Sequence, residues 1–245
     1  MPNIDQKLNA NLDRQGKLLE FFEEKAGEID ASVTAALKAV PELSKTFYVS
    51  ENGNDNNDGS NDKPLATIAE AVRRANTSSF LRINLLSDIT MSDLRTDQKV
   101  IYLHGFGAQR KITSPVYLSN LDNTRRSSGF EIFGGTLEVI LRNIDIVMTD
   151  QNPELATSDS AYRSFLKSLH NDTSTRLGLS INNGSVSVAD GCSLVGSVYF
   201  VPKVLRTRSL TFDSADMPGK WVSGIAAGTP RSDVDNEIQT NLDTL

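Results

Sequence analysis

The sequence predicts a mainly β fold preceded by an α-helical coiled coil, and two changes of texture predict it. Between residues 4 and 40 there is no proline, and apolar side chains recur at alternating steps of four and three. From Thr46 onward the chain breaks into short β-rich runs bounded by Asn, Asp, Gly or Ser. Composition agrees with a folded protein. Of 245 residues, 38% are hydrophobic and 23% charged, enough apolar material to bury a core.

The helical element comes first. Leu12, Leu19, Ala26, Val33 and Val40 occupy heptad position a, and Leu8, Phe22, Ile29 and Ala36 occupy d, with Gln15 as the one polar d residue. Ile4 sits slightly off register. Asp5 and Asp13 lie near the start, where a helix N-terminus favours negative charge. Pro41 is expected to end the helix, because the residue before a proline avoids helical backbone. An amphipathic helix packed on its own domain would show a similar stripe. Five heptads, however, extend on the order of 50 Å at 1.5 Å per residue, longer than a small domain can cover. Lys7, Arg14, Lys17, Glu20, Glu23 and Lys25 flank a narrow seam, so self-association is the expected solution. Gln15 at d and β-branched residues at both positions allow a trimer without dictating it. Gly27 weakens the helix by about 1 kcal/mol relative to alanine.

The β region follows. Its runs are 47–49, 81–85, 100–103, 116–118, 130–133, 137–141, 144–148, 177–181, 186–188, 194–200 and 210–212. Such short, closely spaced runs indicate a sandwich, a barrel or a solenoid, and no strict repeat chooses among them. Alternation in Ile144-Asp145-Ile146 and Ser185-Val186-Ser187-Val188 gives each strand one buried face. Asn143, Asn183 and Gly184 fall at corners that need left-handed backbone. Two helical interruptions are expected. Residues 66–75 set Ile68, Ala71, Val72 and Ala75 on one face, and residues 158–170, opened by Thr157-Ser158-Asp159, do so with Tyr162, Phe165, Leu166 and Leu169. After Ala226 the chain is polar, and Val234, Ile238 and Leu242 repeat at four, the spacing of one short helix or of a loose tail.

The most informative stretch is TFYVSENGNDNNDGSNDKPLATIAEAVRRA, residues 46–75. A short strand leads into a loop, residues 52–62, with no apolar side chain. Gly53 and Gly59 there can take positive φ, and Asx side chains can satisfy the backbone. The short helix beyond Pro64 must cover something, and the open end of a β stack is the natural candidate. Tyr48, Val49, Gly53, Asp55, Gly59, Pro64, Thr67, Ile68 and Ala71 resemble the N-terminal cap of right-handed parallel β-helix proteins of the pectate-lyase-like superfamily. Leu65 departs from that pattern, where an aromatic is usual. The resemblance covers about 30 residues and speaks to fold more than function, since the fold carries lyases, hydrolases, epimerases and adhesins.

A coiled-coil stalk without a signal peptide, feeding such a cap, is similar to the tail fibres and tailspikes of bacteriophages. That resemblance implies a short right-handed parallel β-helix in a homotrimer. It implies three parts: a stalk for virion attachment at 1–45, the β-helix with its helical insertion at 46–225, and a C-terminal tail at 226–245. Leu8, Leu12, Leu19, Phe22, Ala26, Ile29, Val33 and Ala36 would then carry oligomerisation. The implied function is a structural virion subunit that attaches to the host surface or anchors a receptor-binding element. A tailspike-type polysaccharide depolymerase and a capsid head fibre are the alternatives. The implied partners are other virion proteins and host cell-surface polysaccharide, and the implied location is the virion, assembled in the host cytoplasm.

Chemistry-bearing motifs are sparse. His104, His170 and Cys192 provide no zinc spacing, and no cofactor motif occurs. Asp55-Asn56-Asn57-Asp58-Gly59 opens like a calcium loop, but its twelfth position is Ala66 rather than a glutamate; a structural turn is expected. Glycoside hydrolysis needs two carboxylates about 5–9.5 Å apart. Glu131, Glu138 and Asp145 are the candidates, each expected to point outward, with Arg142 the nearest base for a lyase. Outward acids on strands also serve solubility, so a non-enzymatic protein is the expectation. Trp221, Tyr199 and Phe200 could stack on sugars, although Trp221 could equally anchor the last strand. A net charge of −6 argues against a dedicated nucleic-acid binder. No apolar run reaches the roughly 18 residues of a membrane span.

Overall fold

A computed structural model of the chain describes residues 3–75, 80–97, 99–120, 123–151, 160–170, 174–199, 201–212, 216–234 and 238–245. The chain divides into two compact units, one ending at Leu43 and one running from Ser44 to Leu245.

The first unit is one helix, α1 (Ile4–Leu43). Its start is fixed reciprocally. The Asp5 amide donates to Asn3 Oδ1 at 2.7 Å, and the Asn3 amide donates to Gln6 Oε1 at 3.2 Å, a capping box that uses two otherwise orphaned donors. The helix passes Pro41 and stops at Leu43. The proline therefore does not end it at once; in the final turn a missing N–H costs a single ladder bond. Leu8, Leu12, Leu19, Phe22, Ile29 and Val33 are each more than half exposed, and Ala26 is exposed as well. The side chain of Ala36 lies outside the described residues.

The second unit is mainly β. Its elements in chain order are β1 (Ser44–Val49), α2 (Ile68–Arg74), β2 (Phe80–Leu85), β3 (Ile89–Thr90), β4 (Leu94–Arg95), β5 (Val100–Gly105), β6 (Arg110–Leu118), β7 (Arg125–Ser127) and β8 (Phe130–Glu131). They continue with β9 (Thr136–Arg142), β10 (Ile144–Thr149), β11 (Ser164–Ser168), β12 (Arg176–Val188), β13 (Ser193–Ser197), β14 (Lys203–Phe212) and β15 (Ile238–Thr240). Every described strand ladder is parallel except the β6–β7 hairpin. An antiparallel sandwich, one of the open architectures, is thereby excluded.

The ladders form three columns. The first runs β1-β2-β5-β9-β12-β14-β15. The second joins β3, β6, β10 and the distal halves of β12 and β14. The third is β4-β8-β11-β13, extended by a bridge from Val195 to Val222. Because strand side chains alternate, one set in each column points inward and stacks in register. Leu81, Ile101, Val139, Leu179 and Leu205 form one such row in the first column, all with no exposed surface. Ile112, Ile146 and Val186 form another in the second. Leu94, Phe130, Leu166 and Val195 form one in the third. Each such side chain contributes about 1.5–3 kcal/mol by leaving water.

Asn143, Asn183 and Ser209 turn the chain from the first column to the second with φ of 54°, 57° and 51°. The left-handed expectation holds for the two asparagines. Gly184 differs: its φ is not positive, and its lack of a side chain serves a close approach, since a Cβ there would lie 2.0 Å from the Ile144 carbonyl oxygen.

Two expectations are corrected. The helix expected over 158–170 is a single 3-10 turn, Ser160–Arg163, followed by strand β11; residues 157–159 lie outside the described residues. All five residues of β11 are buried, so it lacks the alternation that marks a one-sided strand, and its apolar spacing imitated a helix. Among the described residues the end of the chain forms a 3-10 turn, Arg231–Asp233, and a strand, instead of the α-helix or loose tail expected from Val234, Ile238 and Leu242. β15 pairs with β14, and Leu245 is buried with its amide donating to the Thr229 carbonyl. Trp221 is buried with its ring edge-on to Phe212 at 4.9 Å, so it anchors the core instead of offering a stacking surface. Tyr199 is exposed, and Phe200 lies outside the described residues.

Candidate functional site

The three candidate acids fall in three different columns. Glu131 is in β8, Glu138 in β9 and Asp145 in β10, and no ladder sets any two of them opposite each other. Asp145 Oδ1 accepts from the Ser185 amide at 2.6 Å, from Ser185 Oγ at 2.7 Å and from Gln109 Nε2 at 2.8 Å. It pins one corner to the next. Glu138 is half-buried, and its side chain lies over Gly178 on the neighbouring strand.

Glu131 points to the outer side of its strand but is fully buried, contrary to the expectation of an exposed acid. The outer side of the third column is itself covered: β7 and the 3-10 turn at Ser160–Arg163 pack against β11. In register, Glu131 lies between Arg95 and Lys167. Arg95 Nε is 3.7 Å away, Arg126 Nη1 3.9 Å and His170 Nε2 3.5 Å, and neither carboxylate oxygen has a hydrogen-bond partner among the described residues. His170 stacks on Phe133 at 3.7 Å, and the Arg95 guanidinium lies over the same ring at 4.6 Å. Lys167, also fully buried, donates to Asp93 Oδ1 at 2.7 Å and to the Ser127 carbonyl at 2.6 Å. Burial pushes its ammonium below the usual lysine range despite the pull of Asp93. Tyr117 donates to Asp93 Oδ2 at 2.7 Å and is held protonated well above the usual range by burial and that carboxylate. In this cluster Glu131 and Lys167 are fully buried, whereas Arg95 and His170 reach the surface. Burial likewise raises the Cys192 thiol, away from a reactive thiolate.

The cap residues make one local structure. Asp55 Oδ1 accepts from the amides of Ala66 and Thr67 at 2.8 and 2.9 Å, and Oδ2 accepts from Thr67 Oγ1 at 2.9 Å. Thr67 in turn caps α2, accepting from the Glu70 amide at 3.1 Å. Gly53 lies where a Cβ would meet the Leu65 carbonyl oxygen at 2.2 Å, and Gly59 takes φ of 81° beneath Phe47. The Asn54 amide donates to the Pro64 carbonyl. The Tyr48 amide donates to Gly59, the Leu65 amide to Tyr48 and the Ser50 amide to Leu65, so the loop occupies the free edge of β1. Val49, Ile68 and Ala71 are buried in the core. Both carboxylate oxygens of Asp55 are engaged by protein donors. Among the described residues no group of three acidic, His or Cys side chains is arranged to hold a metal.

The open surface lies on the outward side of the first column. Two rows cross its strands. One is Tyr48, Asn84, His104, Arg142, Asn182 and Arg208; the other is Thr46, Arg82, Tyr102, Ile140, Ser180 and Arg206. Tyr102, Arg142, Asn143, Asn182, Asn183, Arg208 and Ser209 surround a hollow of about 510 Å³. Asn182 and Arg208 also border a second hollow of about 420 Å³, which adds Ser180, Arg206, Gln239 and Asn241. Arg142, Arg206 and Arg208 are exposed, and no ion pair joins them to a described carboxylate. Asn183 Nδ2 donates to Asn143 Oδ1 at 2.7 Å, setting the two amides edge to edge. Arg82 lies over Tyr102 at 5.1 Å. His104 is held neutral below its usual range by burial first, then by Arg142 and Arg82.

Of the residues lining the two hollows, the sequence alone pointed to Arg142 and the two corner asparagines. The signal for this surface is present in Ser180-x-Asn182 and Arg206-x-Arg208, polar residues on alternate positions. The register that brings them together belongs to the ladders. Comparison with family models, with curated proteins and with solved structures finds no match to this chain.

Proposed function

We propose that this chain is the subunit of a homotrimeric virion fibre or spike of the bacteriophage tail-fibre type. It attaches to the host surface or anchors a receptor-binding element. The observation that carries the reading is the seam on α1: six large apolar side chains at heptad positions, each more than half exposed on the single chain. A stripe of that length needs a partner helix, and another copy supplies one with matching spacing. A further support is the order of the ladders. The chain visits the first, second and third columns in turn as β2-β3-β4, β5-β6-β8 and β9-β10-β11. It then does so through the two halves of β12 and β13, and through the two halves of β14 and Val222. That recurrence, with the cap loop on the edge of β1, supports a short right-handed parallel β-helix.

Light scattering on the full chain tests assembly. The native chain is expected at three times its monomer mass, and replacing Leu19 and Phe22 with glutamate should reduce it to one. A native monomer, or an unchanged mass in the variant, overturns the reading.

A further inference from the structure

We propose that the outward face of the first column, centred on Arg142, Asn182 and Arg208, is a binding site for an acidic polysaccharide whose carboxylates pair with the two arginines. The inference names the ligand class of the attachment surface and rests on the attachment reading for its setting.

The register sets the geometry. Arg142 pairs with Asn182 and Asn182 with Arg208 on successive strands. Neighbouring strands lie about 4.8 Å apart, so the two guanidinium bases project from points roughly 10 Å apart with one amide between them. A pyranose ring spans roughly one inter-strand spacing. A sugar chain laid along the row therefore sets acid groups on alternate sugars against Arg142 and Arg208, with a neutral ring over Asn182. Arginine suits this task, since its fork engages a carboxylate through two parallel hydrogen bonds. Among the described residues neither guanidinium has an acidic partner, so no described ion pair has to break before binding.

Around the arginines the lining is amide and hydroxyl. Asn182 and Gln239 carry both donors and acceptors, which is what vicinal hydroxyls require, and the bonded pair Asn143–Asn183 keeps further donor and acceptor capacity, whereas the Asn241 amide is bonded to the Thr207 backbone. Tyr102 is the one aromatic in either lining. A nucleic-acid surface would combine a wider basic field with stacking rings. This chain instead places a few arginines on an acidic background of −6. Burial lowers the titration of His104 beside the hollow, and the positive charges of Arg142 and Arg82 lower it further.

Calorimetric titration of the full chain tests the proposal, with three probes at physiological salt: a polyuronate oligosaccharide, neutral dextran of equal length, and a short DNA duplex. The polyuronate is expected to bind at least tenfold more tightly than either other probe. Arg142→Gln with Arg208→Gln should weaken it at least tenfold. Lys63→Gln with Lys111→Gln, which removes equal charge elsewhere, should leave it within twofold. Equal binding of dextran, or tighter binding of DNA, overturns the proposal, as does equal weakening by both variants. A change of mass by light scattering in Arg142→Gln with Arg208→Gln also overturns it, because the face would then be an interface between copies. The mass of the native chain in the same samples separates the two readings. A trimer that ignores polyuronate overturns this site alone, and a monomer that binds it overturns the fibre assignment alone.

Discussion

Replacing Asp55 with alanine isolates the physics of the cap. One carboxylate accepts three hydrogen bonds, two from the backbone of Ala66 and Thr67 and one from the Thr67 hydroxyl. A hydrogen bond to an ionised group contributes about 1.5–3 kcal/mol, so three intact bonds would sum to roughly 4.5–9 kcal/mol. Asp55 is only half-buried, and water recovers a large part of that sum in the variant. The expected loss is about 2–4 kcal/mol. For a unit of this size each kcal/mol lowers the melting temperature by about 2–4 °C, which places Asp55→Ala roughly 4–16 °C below the native protein. Asp55→Asn keeps an oxygen for the two amides and changes only the exchange with the Thr67 hydroxyl, so it should lose about 1 kcal/mol. Thermal melts followed by circular dichroism read both. If Asp55→Ala melts within about 1 °C of the native chain, the loop is not held by this carboxylate and the account of the cap fails.

Two further outcomes are expected. Gly184→Ala forces a methyl group to within 2.0 Å of the Ile144 carbonyl oxygen, so the urea midpoint should fall by the equivalent of about 2–3 kcal/mol with an unchanged slope; an unaltered midpoint would show that the corner yields freely. His104 binds its proton less readily folded than unfolded. The unfolded chain thus holds the extra proton as pH falls below about 6.5, and native stability drops relative to His104→Gln between there and the lower folded value. Parallel melting-temperature profiles of the two proteins from pH 7.5 to 5 would refute this sign.

Local chemistry was legible where it is local. The heptads of α1, the buried faces of β9 and β10, the left-handed corners at Asn143 and Asn183, and Asp55 as part of a structural turn all follow from residues within a few positions of each other. Partnership across columns was not legible. Glu131 alternates with apolar neighbours as an exposed acid would, yet segments from elsewhere in the chain close over it. Phe165 and Leu166 look helical because β11 is buried on both sides. Arg142 and Arg208 are 66 positions apart, and only the parallel register lays them on either side of Asn182.

The edge of β1 has a consequence for polymerisation. A parallel stack grows by adding strands, and an unoccupied terminal strand presents the next one with a complete row of donors and acceptors. Here the amides of Tyr48 and Ser50 and the Tyr48 carbonyl are already bonded to Gly59 and Leu65. Among the described residues the last strand, β15, is three residues long. The same loop that closes the core therefore deprives a second molecule of a template at the β1 end of the stack.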